Sequence, residues 1–162
     1  MRQPHLIAIA KFVRDLLVHD EQLIKFDRED IPEADFNSSY IVVNGSSISN
    51  KQSSGTVFNS VTEAITYNDS FSQSVTLEFY GDNAYINSRK FSLLSASQAA
   101  LELKKTLGLS ISNVSSTLDV KQILGSVHGN RVHLTFNTYY FPSFEVATLR
   151  IDTAQFEFTE DR

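Results

Sequence analysis

The sequence predicts an α+β fold, a mostly antiparallel β-sheet with an N-terminal helix and a central pair of helices packed on one face. Apolar residues recur at three- and four-residue spacing near the N-terminus and again between about 83 and 107, which is the helical period. Segments before and after the central helices alternate apolar and polar residues, as half-buried strands do. Because 162 residues suffice for one core, we expect a single domain over 1–162.

The first element is a helix at about 5–19, and Pro4 stands where a missing N–H carries no penalty. Its apolar face is formed by residues at helical spacing, namely Leu6, Ile9, Ala10, Val13, Leu16 and Leu17. Residues 20–37 are charged and irregular, and Pro32 blocks a helix there. We therefore expect an exposed charged arm at about 20–37, with a short strand favoured around 23–26.

A strand is predicted at 39–43, where β-branched and aromatic residues follow one another. Asn44 and Gly45 come next, and Asn-Gly is a strong hairpin signal because both residues tolerate a positive φ. The polar stretch 46–55 follows, so a flexible hairpin or loop is expected at about 44–55. Beyond it, strands at 56–67 and 75–79 are expected to pair antiparallel, with a turn at 68–70.

The central helices are predicted at about 83–94 and 96–107. Asp82 is a candidate N-cap for the first of them, and Ser95 begins a candidate capping box for the second. Gly108 is a candidate C-cap.

The remaining segments favour strands. A short strand is expected at 109–111, and a longer one at 131–137 alternates apolar and polar residues until Pro142 breaks it. Residues 144–158 are strand-like, and a shift in their apolar parity suggests a bulge.

Composition argues against most kinds of chemical site. The chain has no cysteine, which excludes a disulfide scaffold, a thiolate metal site and a cysteine nucleophile. No serine lies in a G-x-S-x-G motif, and no glycine-rich phosphate-binding motif is present. The acidic pairs Glu29/Asp30 and Glu160/Asp161 lie in charged stretches typical of solvated faces. We therefore expect no enzyme activity, no catalytic or cofactor-binding residues and no cofactor.

The four histidines show no metal-binding spacing. His128 and His133 are five residues apart across a glycine turn, which is too loose for a diagnostic zinc pair, and His5 and His19 flank the first helix. We expect them to be surface or partly buried polar residues, and we predict no metal site.

The net charge is −5, because 14 Lys and Arg stand against 19 Asp and Glu, and this is unfavourable for gripping nucleic acid by its phosphates. The basic residues near the central helices offer only a mild positive patch, namely Arg89, Lys90, Lys104, Lys105 and Lys121. The apolar run at 6–10 is too short for a signal peptide or a membrane helix. We expect no membrane partner and a chain made in the cytoplasm.

An aromatic run at Tyr139, Tyr140 and Phe141 has two interpretations. It could be a binding platform, or it could be a strand end in which Tyr140 continues the parity of Phe136 and Tyr139 is exposed. A carbohydrate- or protein-binding module of a phage or bacterial surface assembly, using Tyr139 and the 46–55 loop, is therefore an alternative function. A small enzyme with a concave pocket is a third.

Residues 74–107 join an alternating strand, the sequence Phe79-Tyr80-Gly81 and paired short helices, and a strand with a charged start follows at 131–141. With the leading helix and the hairpin, this order over about 56–141 resembles the tail-terminator or neck proteins of tailed bacteriophages, which join head to tail. The resemblance implies a virion structural protein without catalytic residues.

The resemblance further implies a homo-oligomeric ring, expected to be a hexamer, located in the virion neck or tail and assembled in the host cytoplasm. Its expected partners are other copies of itself, the head–tail connector and the tail tube proteins, around a channel that DNA crosses without specific binding. An acidic chain suits such a conduit, because like charge prevents sticking.

Overall fold

The computed structural model describes residues 3–26, 39–46, 48–120, 122–124 and 127–148. The helices are α1 Pro4–Leu17, α2 Ala84–Leu94 and α3 Gln98–Leu107. The strands are β1 Ile24–Phe26, β2 Ile41–Gly45, β3 Ser49–Asn59, β4 Ala64–Tyr80, β5 Ser110–Ser112, β6 Leu118–Asp119, β7 Gln122–Leu124, β8 Val127–Gly129, β9 Arg131–Tyr140 and β10 Ser143–Ala147. The predicted α+β class with a mostly antiparallel sheet is confirmed.

The chain divides into two compact units. Unit 1 comprises Met1–Asn50 and Phe71–Tyr140, and unit 2 comprises Lys51–Ser70 and Phe141–Arg162. β4 contributes residues to both units. The expectation of a single domain over 1–162 stays a prediction.

The sheet of unit 1 has the strand order β1-β2-β4-β9-β5. β1 pairs with β2 in parallel, whereas the other neighbours in this order pair antiparallel. The β4–β9 pairing runs without interruption from Phe71 opposite Tyr140 to Tyr80 opposite Arg131. Because side chains alternate between the two faces of a strand, this register determines which residues of β4 and β9 lie together.

The hydrophobic core of unit 1 lies between one face of this sheet and the helices. The sheet supplies buried residues that face one another across strands, namely Ile41, Val43, Val75, Leu77, Phe79, Val132, Leu134 and Phe136. The helices supply Ile9, Phe12, Val13, Phe91 and Ala100, among others. The predicted packing of the N-terminal helix and the central pair on one face is confirmed.

α1 confirms the helix predicted at 5–19 to within two residues at its C-terminal end. The C-cap of α1 is Val18, which follows the last helical residue and has a φ of 55°. This left-handed conformation ends the helix and is unfavourable for a β-branched residue. Four residues of the predicted apolar face are buried, namely Ile9, Val13, Leu16 and Leu17, whereas Leu6 and Ala10 are partly buried. Phe12, which was not among the predicted residues, is also buried in this face.

β1 confirms the short strand predicted near 23–26. It follows a 3-10 turn at Glu21–Leu23, where the Asp20 carboxylate accepts a 3.0 Å hydrogen bond from the Gln22 N–H. The rest of the predicted arm, 27–37, lies outside the described residues.

The hairpin turn predicted at Asn44 and Gly45 is wrong. Both residues lie in β2, where Asn44 pairs with Thr76 and Gly45 pairs with Val75 of β4. Gly45 is needed for close packing, because a Cβ there would lie 2.8 Å from Nε2 of Gln73 and 3.1 Å from Leu6. Long-range pairing has overridden a local turn preference.

The turn predicted at 68–70 is also wrong, because β4 runs unbroken through it. β3 and β4 are joined instead at residues 60–63, where the Asn59 side chain accepts hydrogen bonds from the N–H groups of Val61 and Thr62. Such an Asx turn supplies locally the hydrogen bonds that the reversing backbone lacks. β3 begins at Ser49, inside the polar stretch 46–55.

Both central helices are confirmed, but their caps differ from those predicted. α2 has Asn83 at its N-cap instead of Asp82, with no side-chain cap. α3 is capped by Ser97, which accepts a 3.2 Å hydrogen bond from the Ala100 N–H, whereas Ser95, two residues earlier, is buried and is the C-cap of α2. Gly108 is the C-cap of α3, as predicted, with a φ of 63°.

Strands β5 and β9 confirm the predictions for 109–111 and 131–137. β10 covers Ser143–Ala147, so the predicted strand at 144–158 is confirmed only for its first residues. The predicted bulge depends on residues beyond 148, which lie outside the described residues.

Candidate functional site

A cluster of ionisable side chains lies on the sheet face opposite the helices. Glu78 and Tyr80 of β4 alternate with core residues, and in the register of the pair they face His133 and Arg131 of β9. Nη2 of Arg131 donates a 2.8 Å hydrogen bond to Oε2 of Glu78, and the Tyr80 hydroxyl donates a 2.6 Å hydrogen bond to the same oxygen. The side chain of Glu78 is only 11% exposed, so this is a largely buried ion pair.

The surroundings of Glu78 keep its carboxyl ionised. Burial acts to raise its pKa, but the hydrogen bonds from Tyr80 and Arg131 and the charge of Arg131 outweigh burial and hold the pKa below its ordinary value. Burial and the bond to Glu78 also raise the pKa of Tyr80. A carboxylate held by two donors at low pKa is a poor general base at neutral pH.

Aromatic stacking holds the cluster rigidly. The rings of Tyr40 and Tyr80 stack with centroids 4.5 Å apart, and the guanidinium of Arg131 lies 5.4 Å from the centroid of the Tyr80 ring. A cation over an aromatic face is attracted by the ring quadrupole. Arg131 is therefore fixed by both a carboxylate and a ring.

His133 lies at the edge of this cluster. Its Nε2 is 4.0 Å from Oε2 of Glu78, and it has no hydrogen-bond partner among the described residues. Burial lowers the pKa of His133, although the Glu78 carboxylate acts in the opposite direction. The imidazole is therefore neutral at pH 7.

The sequence predicts His133 only as a polar residue and does not predict the cluster. The available signal was parity, since Glu78 and Tyr80 share one face of β4 while Arg131 and His133 share one face of β9. Joining the two sets requires the register of strands 53 residues apart along the chain.

A cavity of about 220 Å³ lies in unit 1 at the N-terminal end of α1. Its lining is predominantly apolar, with Ile48, Phe71 and Tyr140 among the residues, and it contains no carboxylate. His5, Gln73 and Thr138 also line the cavity and are each more than nine-tenths buried.

Hydrogen bonds and ring stacking fix these polar residues. His5 donates from Nε2 to the side-chain oxygen of Gln73, and the Gln73 amide donates to the carbonyl of Ser46. The His5 ring also stacks on Tyr140, with centroids 5.6 Å apart. The Thr138 hydroxyl has no hydrogen-bond partner among the described residues.

Unit 2 carries an exposed apolar surface. Phe144 of β10 pairs with Tyr67 of β4, and Val146 pairs with Ile65, so these four side chains share one face. Phe144 is 64% exposed, and all five residues of β10 are exposed. Large contiguous patches of exposed apolar side chains are rare on monomeric soluble proteins, and where they occur they mark interaction surfaces.

Several residues named from the sequence have structural contacts. His19 Nε2 lies 3.0 Å from the carbonyl oxygen of Ser39. Lys104 donates to the Ser95 carbonyl at 2.8 Å, and Lys90 donates to the Leu17 carbonyl at 3.2 Å. Each of these two lysines therefore links its own helix to the end of another through a neutral carbonyl, which leaves its positive charge in place.

The candidate binding platform at 139–141 differs from the expected arrangement. Tyr139 is half-buried, whereas Tyr140 is 39% exposed, so the prediction that Tyr139 is the exposed member is wrong. The acidic pairs Glu29/Asp30 and Glu160/Asp161 lie outside the described residues, as does the side chain of His128.

Within the described ranges, no group of three His, Cys, Asp or Glu residues is arranged to hold a metal ion. No helix in that part of the chain is long and apolar enough to cross a membrane.

The chain matches the family profile described as phage neck terminator protein over residues 7–162, nearly its whole length. No curated protein matches the chain.

Proposed function

The chain belongs to the phage neck terminator protein family, and we propose that it assembles into a homo-oligomeric ring, a hexamer, between the head connector and the tail tube. The role of this family is structural, and membership in it supports a location in the neck of the virion. The family match over residues 7–162 is the observation that carries the proposal.

The apolar surface of unit 2 supports assembly. In a lone subunit, much of this face stays in contact with water, since Phe144 is 64% exposed, Val146 52% and Tyr67 45%. Burying apolar area stabilises an association by roughly 25 cal/mol per Å² before the entropy of association is subtracted. A neighbouring subunit is the partner that would cover this face in a ring.

Charge supports a channel that DNA crosses without specific binding. The chain carries a net charge of −5. Arg131 pairs with Glu78, Arg14 pairs with Asp15 and Glu21, and Lys104 is held by the carbonyl of Ser95. These three cations are engaged within the fold, and the excess of 19 acidic over 14 basic residues opposes the phosphate contacts that give nucleic-acid affinity.

The proposal is tested by the full-length chain alone and with its partners. Native mass spectrometry of the purified protein should give a closed oligomer, and negative-stain images should show a ring. Because some rings form only on a partner, the same measurements are repeated with the connector and with the tail tube protein. In the infected cell, we expect assembly to take place in the host cytoplasm. If no oligomer forms under any of these conditions, the proposed ring is wrong.

DNA binding is tested separately by electrophoretic mobility of a labelled duplex. We expect no retardation at physiological salt with the assembled protein. Retardation that weakens steeply as salt increases would show phosphate binding and contradict the passive channel.

A further inference from the structure

We propose that the cavity at the N-terminal end of α1 receives the side chain of Phe58 from a neighbouring copy of this chain. The inference rests on the proposed ring and identifies one of its subunit contacts. We call the cavity the socket and the residues Val57, Phe58 and Val61 the hairpin tip.

The socket has the size and lining for one aromatic side chain. Its volume of about 220 Å³ exceeds the about 150 Å³ at which an apolar cavity in a protein is known to accept benzene, and it is below the volume of typical drug-sized ligand pockets. Phe71 and the stacked rings of His5 and Tyr140 give it an aromatic lining. Aromatic rings favour offset or edge-to-face contacts with further rings.

The walls of the socket are fixed before any ligand binds. His5 is bonded to Gln73, and Gln73 is bonded to the backbone of Ser46, so neither side chain must be ordered on binding. Preorganised walls reduce the entropic cost of association. Thr138, 2% exposed and with no partner for its hydroxyl in the described structure, adds a buried polar group at the same place.

The hairpin tip is a rigid apolar projection. Phe58 is 59% exposed and Val61 is 89% exposed, although turns between strands are usually polar. The Asn59 side chain accepts hydrogen bonds from the N–H groups of Val61 (2.9 Å) and Thr62 (3.4 Å), which fixes the turn that follows Phe58. An exposed aromatic at the end of a strand, next to an ordered turn, has the character of an interface anchor.

The pairing is asymmetric, which suits a ring. The socket is built from residues of unit 1 and the tip from residues of unit 2, so each copy presents two different patches. A contact between different patches is heterologous, and repeated around a rotation axis it closes a ring.

The test uses full-length variants and native mass spectrometry. Phe58→Ser removes the anchor, and Tyr85→Ser, a change on α2 at the same 59% exposure, is the matched control. Ile48→Trp fills the socket from a position that is 44% exposed and so tolerates a larger side chain. We expect Phe58→Ser and Ile48→Trp each to weaken self-association at least about tenfold, and Tyr85→Ser to assemble as the wild type does.

Mixing the two defective variants gives the decisive result. Phe58→Ser retains its socket and Ile48→Trp retains its tip, so an equimolar mixture should form a one-to-one dimer that cannot grow. Circular dichroism of each variant confirms that it is folded. Rings that form equally well in both variants, or a mixture without dimers, would overturn the pairing while leaving the proposed function standing. A wild type that forms no oligomer, even with its partners, would overturn both.

Discussion

Arg131 donates from Nη2 to Oε2 of Glu78 across 2.8 Å, between adjacent strands on the sheet face away from the helices. A second arginine, Arg14, makes a bond of the same length to Glu21, whose side chain is 77% exposed. The two pairs have the same chemistry and differ in burial. They therefore separate what solvent exclusion contributes to an ion pair from what contact alone contributes.

Replacing Arg131 by Met should destabilise the fold by about 2–3 kcal/mol, because it leaves the Glu78 carboxylate largely buried without its cation. The expected loss is smaller than the loss on breaking a fully buried ion pair, because the Arg131 side chain is 25% exposed and water reaches it. Urea unfolding followed by circular dichroism measures the change. The matched variant Arg14→Met should lower the urea midpoint far less than Arg131→Met does, because its partner Glu21 is 77% exposed and solvent screens the pair. Equal losses in the two variants would show that burial of the Glu78 pair is unimportant.

The same cluster predicts lower stability in acid. His133 is neutral in the fold because burial lowers its pKa, whereas in the unfolded chain it binds a proton below its ordinary pKa of 6.5. The fold therefore loses stability as the pH falls below about 6.5. Glu78 adds a second loss below its ordinary pKa of 4.5, because its pKa in the fold is lower still.

Urea midpoints measured between pH 8 and pH 4 test this dependence. We expect the wild-type midpoint to fall towards acid, and His133→Gln to flatten the dependence between pH 7 and pH 5. Glu78→Gln should lower stability at pH 7 and reduce the further loss below pH 4.5. An unchanged slope in His133→Gln would show that this histidine is not the group responsible.

The secondary structure could be predicted largely because its evidence is local. The α1 face, the C-cap at Gly108 and the alternation in β9 are each visible within a few residues. The predicted turn at Asn44 and Gly45 is wrong because both residues pair with β4, and this pairing outweighs the turn preference of the dipeptide. The Glu78 cluster, the socket and the apolar face of unit 2 depend on register between distant strands, and no short window of sequence contains that information.

Gly45 provides a test of the corrected turn. If it lies in β2 against Gln73 and Leu6, then Gly45→Ala introduces a methyl group 2.8 Å from Nε2 of Gln73 and disturbs the hydrogen bonds of that amide. We expect a loss of about 1–3 kcal/mol in the free energy of unfolding. Gly55→Ala is the control, because a Cβ at Gly55 meets nothing within 4 Å. Equal stability in the two variants would favour a hairpin turn at Asn44 and Gly45.

The exposed face of unit 2 leads to a prediction about assembly. Replacing both Phe144 and Val146 by Thr, a β-branched residue that favours strands, removes apolar area from the open face of β10. Because both side chains are already more than half exposed, the free energy of unfolding should change by less than about 0.5 kcal/mol, whereas self-association should weaken at least about tenfold.

Sedimentation velocity over a concentration series measures the association, and urea unfolding of the same preparation measures stability. Leu93→Gln is the matched control, because Leu93 is 72% exposed on α2 in unit 1 and glutamine is a good helix former. We expect this control to assemble as the wild type does. If the control and the double variant lose association equally, general surface hydrophobicity drives assembly and the face of unit 2 has no special role. If neither loses association, subunit contacts lie elsewhere in the chain.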